Sequence, residues 1–187
     1  MKRLLSSTVM QRLWHIIVWL SRIGHCRGFG IQSPSDYWLV RYVINEHWPY
    51  YKYSEIGQGD DWLTRKVGRL CFRLANWRQP RVVVSSAYQD YLRAGCLTAE
   101  VITDIQQAAH ADLVRWPLSD DWERCFDRLC GIADEQTVLV ADNLRDNRKA
   151  WKRLVGDERT GITFDLYYCG IVLFDKKRVK KNYIINF

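Results

Sequence analysis

Three short stretches carry residue types that could do chemistry. The first is Glu55-Ile56-Gly57-Gln58-Gly59, whose two glycines would let the backbone pass close to a ligand just ahead of a helical pattern. A lone G-x-G is a weak signal, and the alternative is that Gly57 and Gly59 only punctuate the helix start. The second is Asp142-Asn143, directly after the apolar run Thr137-Val138-Leu139-Val140-Ala141. They stand at the carboxyl end of a predicted strand, where ligands bind in open α/β sheets. The competing reading, which is favoured, has Asp142, Asn143 or Asp146 capping the next helix. The third is Asp165, set among apolar neighbours. It is either a buried functional carboxylate or, as favoured here, a residue on the solvated side of an alternating strand with Thr163. Cysteines at 26, 71, 96, 125, 130 and 169 form no C-x-x-C pair, and histidines 15, 25, 47 and 110 are scattered. That excludes zinc spacing and a dense disulfide framework, and it predicts free thiols in a reducing, cytoplasmic setting.

These residues need a scaffold, and the composition says what kind. The chain has 187 residues, 48% hydrophobic and 13% aromatic, which excludes disorder, and 11 Gly with 4 Pro exclude collagen-like or linker character. A chain of this length can bury about 70% of its unfolded surface without a disulfide or metal. Helical patterns cover Ser6 to Ile23, Ser35 or Asp36 to Asn45, and Asp60 to Trp77, where Leu63, Val67, Leu70, Cys71 and Leu74 share a face. From Arg81 onward strands alternate with helices. Strand patterns are Val82 to Val84, Leu97 to Ile102, Leu113 to Trp116 and Thr137 to Ala141, then a hairpin of Ile162 to Tyr167 with Ile171 to Phe174, and Tyr183 to Phe187. Helices are expected at Tyr88 to Ala94, Thr103 to His110, Ser119 to Ile132 capped by Ser119 or Asp120, and Asp146 to Val155. The pattern predicts an N-terminal helical segment, 1–80, packed on an α/β body, 81–187, with a mostly parallel, doubly wound sheet and a C-terminal antiparallel hairpin.

The net charge of +7 sits at the ends. Residues 1–35 carry five basic groups and no acid, residues 175–187 carry +4, and 36–174 carry −2. Basic ends can meet nucleic acid, an anionic surface or an acidic partner, or they can simply be solvated, which is the favoured reading. In the first helix Leu13, Ile16, Ile17 and Leu20 fall on one face. Gln11, Arg12 and His15 interrupt the apolar run, so neither a signal peptide nor a membrane span is expected. That face is expected to dock on the body or on a partner, and a homo-oligomer would be one way to cover it.

Two segments together resemble a known family. One is His25-Cys26-Arg27-Gly28-Phe29-Gly30-Ile31-Gln32-Ser33-Pro34, followed by Tyr50-Tyr51. The other runs from Thr137 to Phe187, with VLVADN, Ala150-Trp151, ITFDLYYCGIVLF and a basic tail. They resemble bacterial class I S-adenosylmethionine-dependent methyltransferase-like proteins, which have an HGIHSP-type entry and end in a TIDLF…GIVFF-type strand pair. The resemblance covers about 60 of the 187 residues, and the region between, 54–136, is shorter than the family's. It implies a Rossmann-like sheet of seven strands with S-adenosylmethionine at their carboxyl ends. The 107 residues from Arg81 are tight for that sheet, so a shortened fold is expected, with a βα unit missing between Trp116 and Thr137.

The resemblance also implies a glycine loop after the first strand and an acid ending the second, which holds the cofactor ribose. Here Val82 to Val84 runs into Ser85-Ser86-Ala87-Tyr88-Gln89, with no glycine before Gly95. Ser85 and Ser86 leave room for S-adenosylmethionine, Tyr88 obstructs it, and Glu100 stands about where the ribose acid would be. Glu55-Ile56-Gly57-Gln58-Gly59 fits the family's E-x-G-x-G form but lies upstream of the α/β pattern. Leu139 to Asn143 resembles the metal-binding segment of small-molecule O-methyltransferases, where an Asp and an Asn hold a divalent cation such as Mg²⁺. With capping favoured, a divalent cation is the less expected outcome here, and the family's own Asp-Asp pair appears as Ala141-Asp142. The Gly28 to Pro34 turn either helps close the pocket or links two helices.

Three functions follow. The first is a degenerate, methyltransferase-like protein that no longer catalyses and serves as a binding or structural module for a small molecule or protein. The second is an active S-adenosylmethionine-dependent transferase, with or without metal assistance. The third is a nucleic-acid or anionic-surface binder using the basic ends with Trp14, Trp19 and Tyr183.

Overall fold

A computed structural model describes residues 2–119 and 121–187, with the side chains of residue 10 and of residues 13–119 and 121–187. Seven strands form one sheet: β1 (Val82–Val84), β2 (Glu100–Ile102), β3 (Leu113–Pro117), β4 (Val138–Asp142), β5 (Ile162–Asp165), β6 (Gly170–Leu173) and β7 (Lys181–Ile184). Their spatial order is β2-β1-β3-β4-β6-β5-β7. Only β6 runs against its neighbours, β4 and β5; the pairs β1–β2, β1–β3, β3–β4 and β5–β7 are parallel. All strands but β6 therefore point their carboxyl ends at one edge. The protein has a Rossmann-like α/β fold, as expected, with the hairpin β5–β6 as its antiparallel part.

The sheet is complete at seven strands because each strand is short, three to five residues. The economy does not fall between Trp116 and Thr137, where a unit was expected to be missing. Helix α5 (Trp122–Ile132) fills that crossover. It falls between β2 and β3, where the expected helix Thr103 to His110 is a 3₁₀ turn, Ile105–Gln107. Asp121, not Ser119, holds the cap position of α5 and makes no side-chain cap bond, while Asp120 lies outside the described residues.

Helices cover both faces, and the strands alternate between two cores as a period-two chain must. Helices α2 (Pro34–Leu39), α3 (Trp62–Arg78) and α4 (Gln89–Gly95), with a π-helical turn at Val40–Ile44, lie on one side. There Val43, Leu70 and Leu92 meet Val83, Leu113 and Val140 in one core. That core crosses the boundary at residue 80. On the other side α5 and α6 (Arg148–Gly156) bring Phe126, Leu129, Trp151 and Leu154 onto Val84, Val114, Leu139 and Val172. Ser33 caps α2 by accepting from the Asp36 N–H at 3.5 Å with Pro34 in the first turn, in place of the expected Ser35 or Asp36.

Helix α1 (Lys2–Ser21) docks through the face not expected. His15, Val18 and Arg22 turn inward, while Leu13, Ile16, Ile17 and Leu20 remain 50%, 54%, 55% and 54% exposed. The polar contacts decide the rotation: Trp14 Nε1–H donates to Tyr167 Oη at 2.9 Å, and His15 Nδ1 pairs with Tyr168 Oη at 2.5 Å. No helix of the described residues is long and apolar enough to cross a membrane.

The two segments that carry the family resemblance meet in space. Arg178 of the tail donates to buried Asp36 Oδ1 at 2.5 Å and to Ser33 Oγ at 3.0 Å, and Tyr183 Oη donates to Asp36 Oδ2 at 3.0 Å. Asn186 N–H donates to the His25 carbonyl at 3.0 Å. Lys177 pairs with Glu135 at 2.7 Å, and Lys180 Nζ donates to Thr160 Oγ1 at 2.9 Å. The basic tail is thus a turn and an edge strand with its cations largely engaged, not a free arm.

Candidate functional site

In an open α/β sheet the ligand crevice lies outside the strands' carboxyl ends, where the strand order reverses. Here that point is between β1 and β3. Three side chains fill it. Tyr88 follows β1 in a left-handed conformation, φ 56°, and begins α4. Its ring passes across the end of β3, and its hydroxyl donates to Asp142 Oδ2, 3.4 Å away at the end of β4. Arg115 of β3 lies beneath, its guanidinium 5.0 Å from the Tyr88 ring centre. Arg115 Nη2 donates to the same Asp142 oxygen, and both side chains are buried. The second Asp142 oxygen accepts the Asn143 N–H at 2.8 Å. Burial and the adjoining carboxylate push the Tyr88 phenol up, so it stays a neutral donor. Cys71 of α3, close by, is pushed up to about 12 by burial.

This arrangement does not fit S-adenosylmethionine. Ser85 is buried, and its hydroxyl donates to the Ala87 carbonyl at 2.5 Å, closing the β1 loop on itself. Ser86 is exposed. Glu100 is the first residue of β2, paired with Val82, so it lies at the amino ends of the strands, opposite the crevice. The acid that does follow the end of β2 is Asp104, whose Oδ1 accepts the Gln106 N–H at 2.9 Å.

The other expected residues are also accounted for. Glu55 pairs with Lys52 at 2.6 Å, outside the sheet. Gly57 has φ +70°, and a Cβ there would stand 1.8 Å from Tyr91 Oη. Packing against α4 therefore explains this glycine, and Tyr91 Oη donates to Asp60 Oδ2 at 2.8 Å to close the turn. Gly59, φ +90°, faces open space and serves the turn alone. Asp142 and Asn143 do not cap α6: Asn147 begins it without a side-chain cap bond, Asp142 is held by Arg115, and Asn143 is exposed with φ 57°. Among the described residues no three His, Cys, Asp or Glu side chains gather as a metal site would require. All six cysteines are free.

Asp165 corrects the expectation of a solvated position. It is 7% exposed, at the carboxyl end of β5. Arg22 of the α1 end reaches it at 2.8 Å and Arg148 of α6 at 2.5 Å. Both guanidinium groups also lie over the Tyr167 ring, at 5.3 and 5.0 Å. Asp165 ties the N-terminal segment to the sheet edge.

An open cavity of about 630 Å³ lies elsewhere, between α3, the Val40–Ile44 turn and a 3₁₀ turn at Tyr51–Ser54. Arg65, Lys66, Arg69 and Arg73 line it from α3. Arg73 is structural, donating to the carbonyls of Val43 at 2.6 Å and Ile44 at 2.8 Å. The spacing 65, 66, 69, 73 places all four on one helix side, a stripe visible in the sequence but overshadowed by the apolar face opposite. Arg115 gave no such signal, since a single arginine in a short strand reads as an edge residue. No protein-family model matches the chain, and no curated protein matches it.

Proposed function

We propose that this chain is a methyltransferase-like protein whose cofactor crevice is closed by its own side chains, leaving a non-catalytic binding module. The observation that carries the reading is Tyr88 reaching over β3 to Asp142, with Arg115 neutralising the same carboxylate. A ligand entering there would have to break a buried ion pair, which costs several kcal/mol before any contact is gained. The self-closed Ser85 loop and the position of Glu100 support the same conclusion. Retained fold with occupied site is what a binding or structural role needs, since the sheet still presents surfaces and cavities around the crevice. The test is calorimetric titration of S-adenosylmethionine into the full chain, with a thermal melt in parallel. The expected result is no saturable heat and no rise in melting temperature up to millimolar cofactor. Saturable binding at micromolar concentration would overturn the reading.

A further inference from the structure

The cavity beside α3 is unlike the crevice because its charges are unmet. Among the described residues no carboxylate lies within ion-pair distance of Arg65, Lys66, Arg69 or Arg73. Among the described residues, Glu46 is the one acidic side chain that lines the cavity, and it accepts a bond from Tyr50 Oη at 2.8 Å. Burial and the charge of Arg73 push Lys66 down to about 8, the mark of an ammonium short of a counter-charge. The walls between these cations are aromatic. Arg69 lies 4.6 Å from the Tyr53 ring centre, and Lys66 Nζ lies 5.1 Å from that of Trp62. Trp48, on the rim, is 68% exposed. A third kind of group completes the set. Asn45 lines the cavity at 6% exposure, and its Nδ2 is buried with no hydrogen-bond partner. A buried amide donor without an acceptor is costly, and a ligand acceptor recovers that cost once a turn of the Asn45 side chain brings Nδ2, which has almost no accessible surface, to the cavity.

We propose that this cavity binds a phosphorylated ligand with a planar aromatic ring, of the size of a nucleoside monophosphate. Its phosphate answers the charges of Lys66 and Arg69, its ring takes the aromatic wall, and a ring acceptor takes the Asn45 amide. The volume is in the range of small-molecule sites, about 300–1,000 Å³. Cations set among aromatic faces match an anion joined to a π-system, because the aromatic faces also hold the cations in place. S-adenosylmethionine is a poor match, since its sulfonium would add a positive charge to an unpaired cluster. The site stands whether or not the crevice is closed, because the two share no lining residue among Tyr88, Arg115 and Asp142.

The test uses the full chain and the fluorescence of its tryptophans, with calorimetry as a second readout. Adenosine 5′-monophosphate is the probe; adenosine and inorganic phosphate are its two halves. The nucleotide is expected to bind saturably, with each half at least about tenfold weaker. Trp48→Ala should weaken the nucleotide severalfold and leave phosphate unchanged. The pair Lys66→Gln with Arg69→Gln should weaken both at least about tenfold, while Arg153→Gln on α6 changes neither. Because Trp48 is on the surface, that variant keeps the test decisive even if the charge variant unfolds. No saturable nucleotide binding up to millimolar concentration overturns the proposal, as does nucleotide binding that Trp48→Ala leaves intact. Affinity for oligoadenylate that climbs about a hundredfold with length overturns it as well, in favour of a strand-binding groove.

Discussion

At the crevice the guanidinium of Arg115 faces the Tyr88 ring and closes on Asp142. Beside α3, Arg69 faces Tyr53 and Lys66 faces Trp62, and neither has a carboxylate to close on. The local ingredients are the same, a cation over a π-face, and one carboxylate separates the outcomes. Where the acid is present the charge is neutralised within the chain and the space is filled. Where it is absent the charge is left for something outside the chain, and a cavity remains. In a fold whose usual ligand position is the strand ends, the unmet charge has moved to a helix face.

Breaking the crevice cluster should give the largest effect. Asp142→Ala strands a buried guanidinium whose Nε already lacks a partner, and the loss of one member of a buried pair costs about 3–5 kcal/mol. For a chain of this length that lowers the melting temperature by about 10 °C. Removing both charges with Arg115→Met and Asp142→Leu should restore most of the loss, because the desolvation penalty leaves with them. Thermal and urea melts of the three proteins measure this. If the single substitution costs under about 1 kcal/mol, the cluster is solvated and the crevice is not closed.

The general architecture was legible because it rests on period. The runs Val82 to Val84 and Thr137 to Ala141, and the helices between them, follow from apolar spacing that tertiary contact only reinforces. Tyr88 was legible as an obstruction because a large ring after the first strand has nowhere else to go. What escaped was whatever depends on a distant partner. Asp165 alternates with Thr163 like a solvated residue, yet Arg22 and Arg148, 143 and 17 positions away, bury it. The docked face of α1 escaped for a similar reason. Leu13, Ile16, Ile17 and Leu20 form the better apolar stripe, but the Trp14–Tyr167 and His15–Tyr168 hydrogen bonds select the other face. Glu100 was misplaced by a boundary: β2 starts at that residue instead of at Leu97, which moves the acid to the wrong end of the strand.

A smaller effect separates packing from ligand contact at the turn that leads into α3. Gly57→Ala places a methyl against Tyr91 Oη in a backbone conformation, φ +70°, that alanine resists. The left-handed conformation costs about 1 kcal/mol, and displacing Tyr91 from Asp60 costs about 1 more. The expected outcome is a loss of about 2 kcal/mol in urea with nucleotide affinity little changed once the protein is folded. Unchanged stability with lost ligand binding would instead make the E-x-G-x-G stretch a contact surface and bring the turn back into the site.

The smallest expected effect is on pH, and it bears on the cavity alone. Lys66 is held down to about 8 in the folded protein, against an ordinary 10.5, so it is cationic below that value and loses its proton above it. Anion affinity should be flat from about pH 7 to 8 and then fall, by up to about tenfold per pH unit, because binding must then also bring back the proton. A bound phosphate favours the ammonium form, so the pKa in the complex lies higher and sets where the decline levels off, not where it starts. The groups around Lys66 do not mimic this. Burial raises Tyr53 and brings Tyr50 up to about 12, so neither phenol ionises in the window. His47 and His15 are pushed down by burial and stay neutral there, and the Cys169 thiol is raised well above its ordinary value. Folding stability moves the other way. The penalty of holding a buried ammonium is full below about pH 8 and is relieved as pH rises toward the unfolded value, so stability gains while anion affinity declines. Lys66→Gln should abolish both trends. Calorimetric titrations and urea melts from pH 7 to 9.5 would show the opposed slopes, and parallel slopes would mean that another group carries the charge.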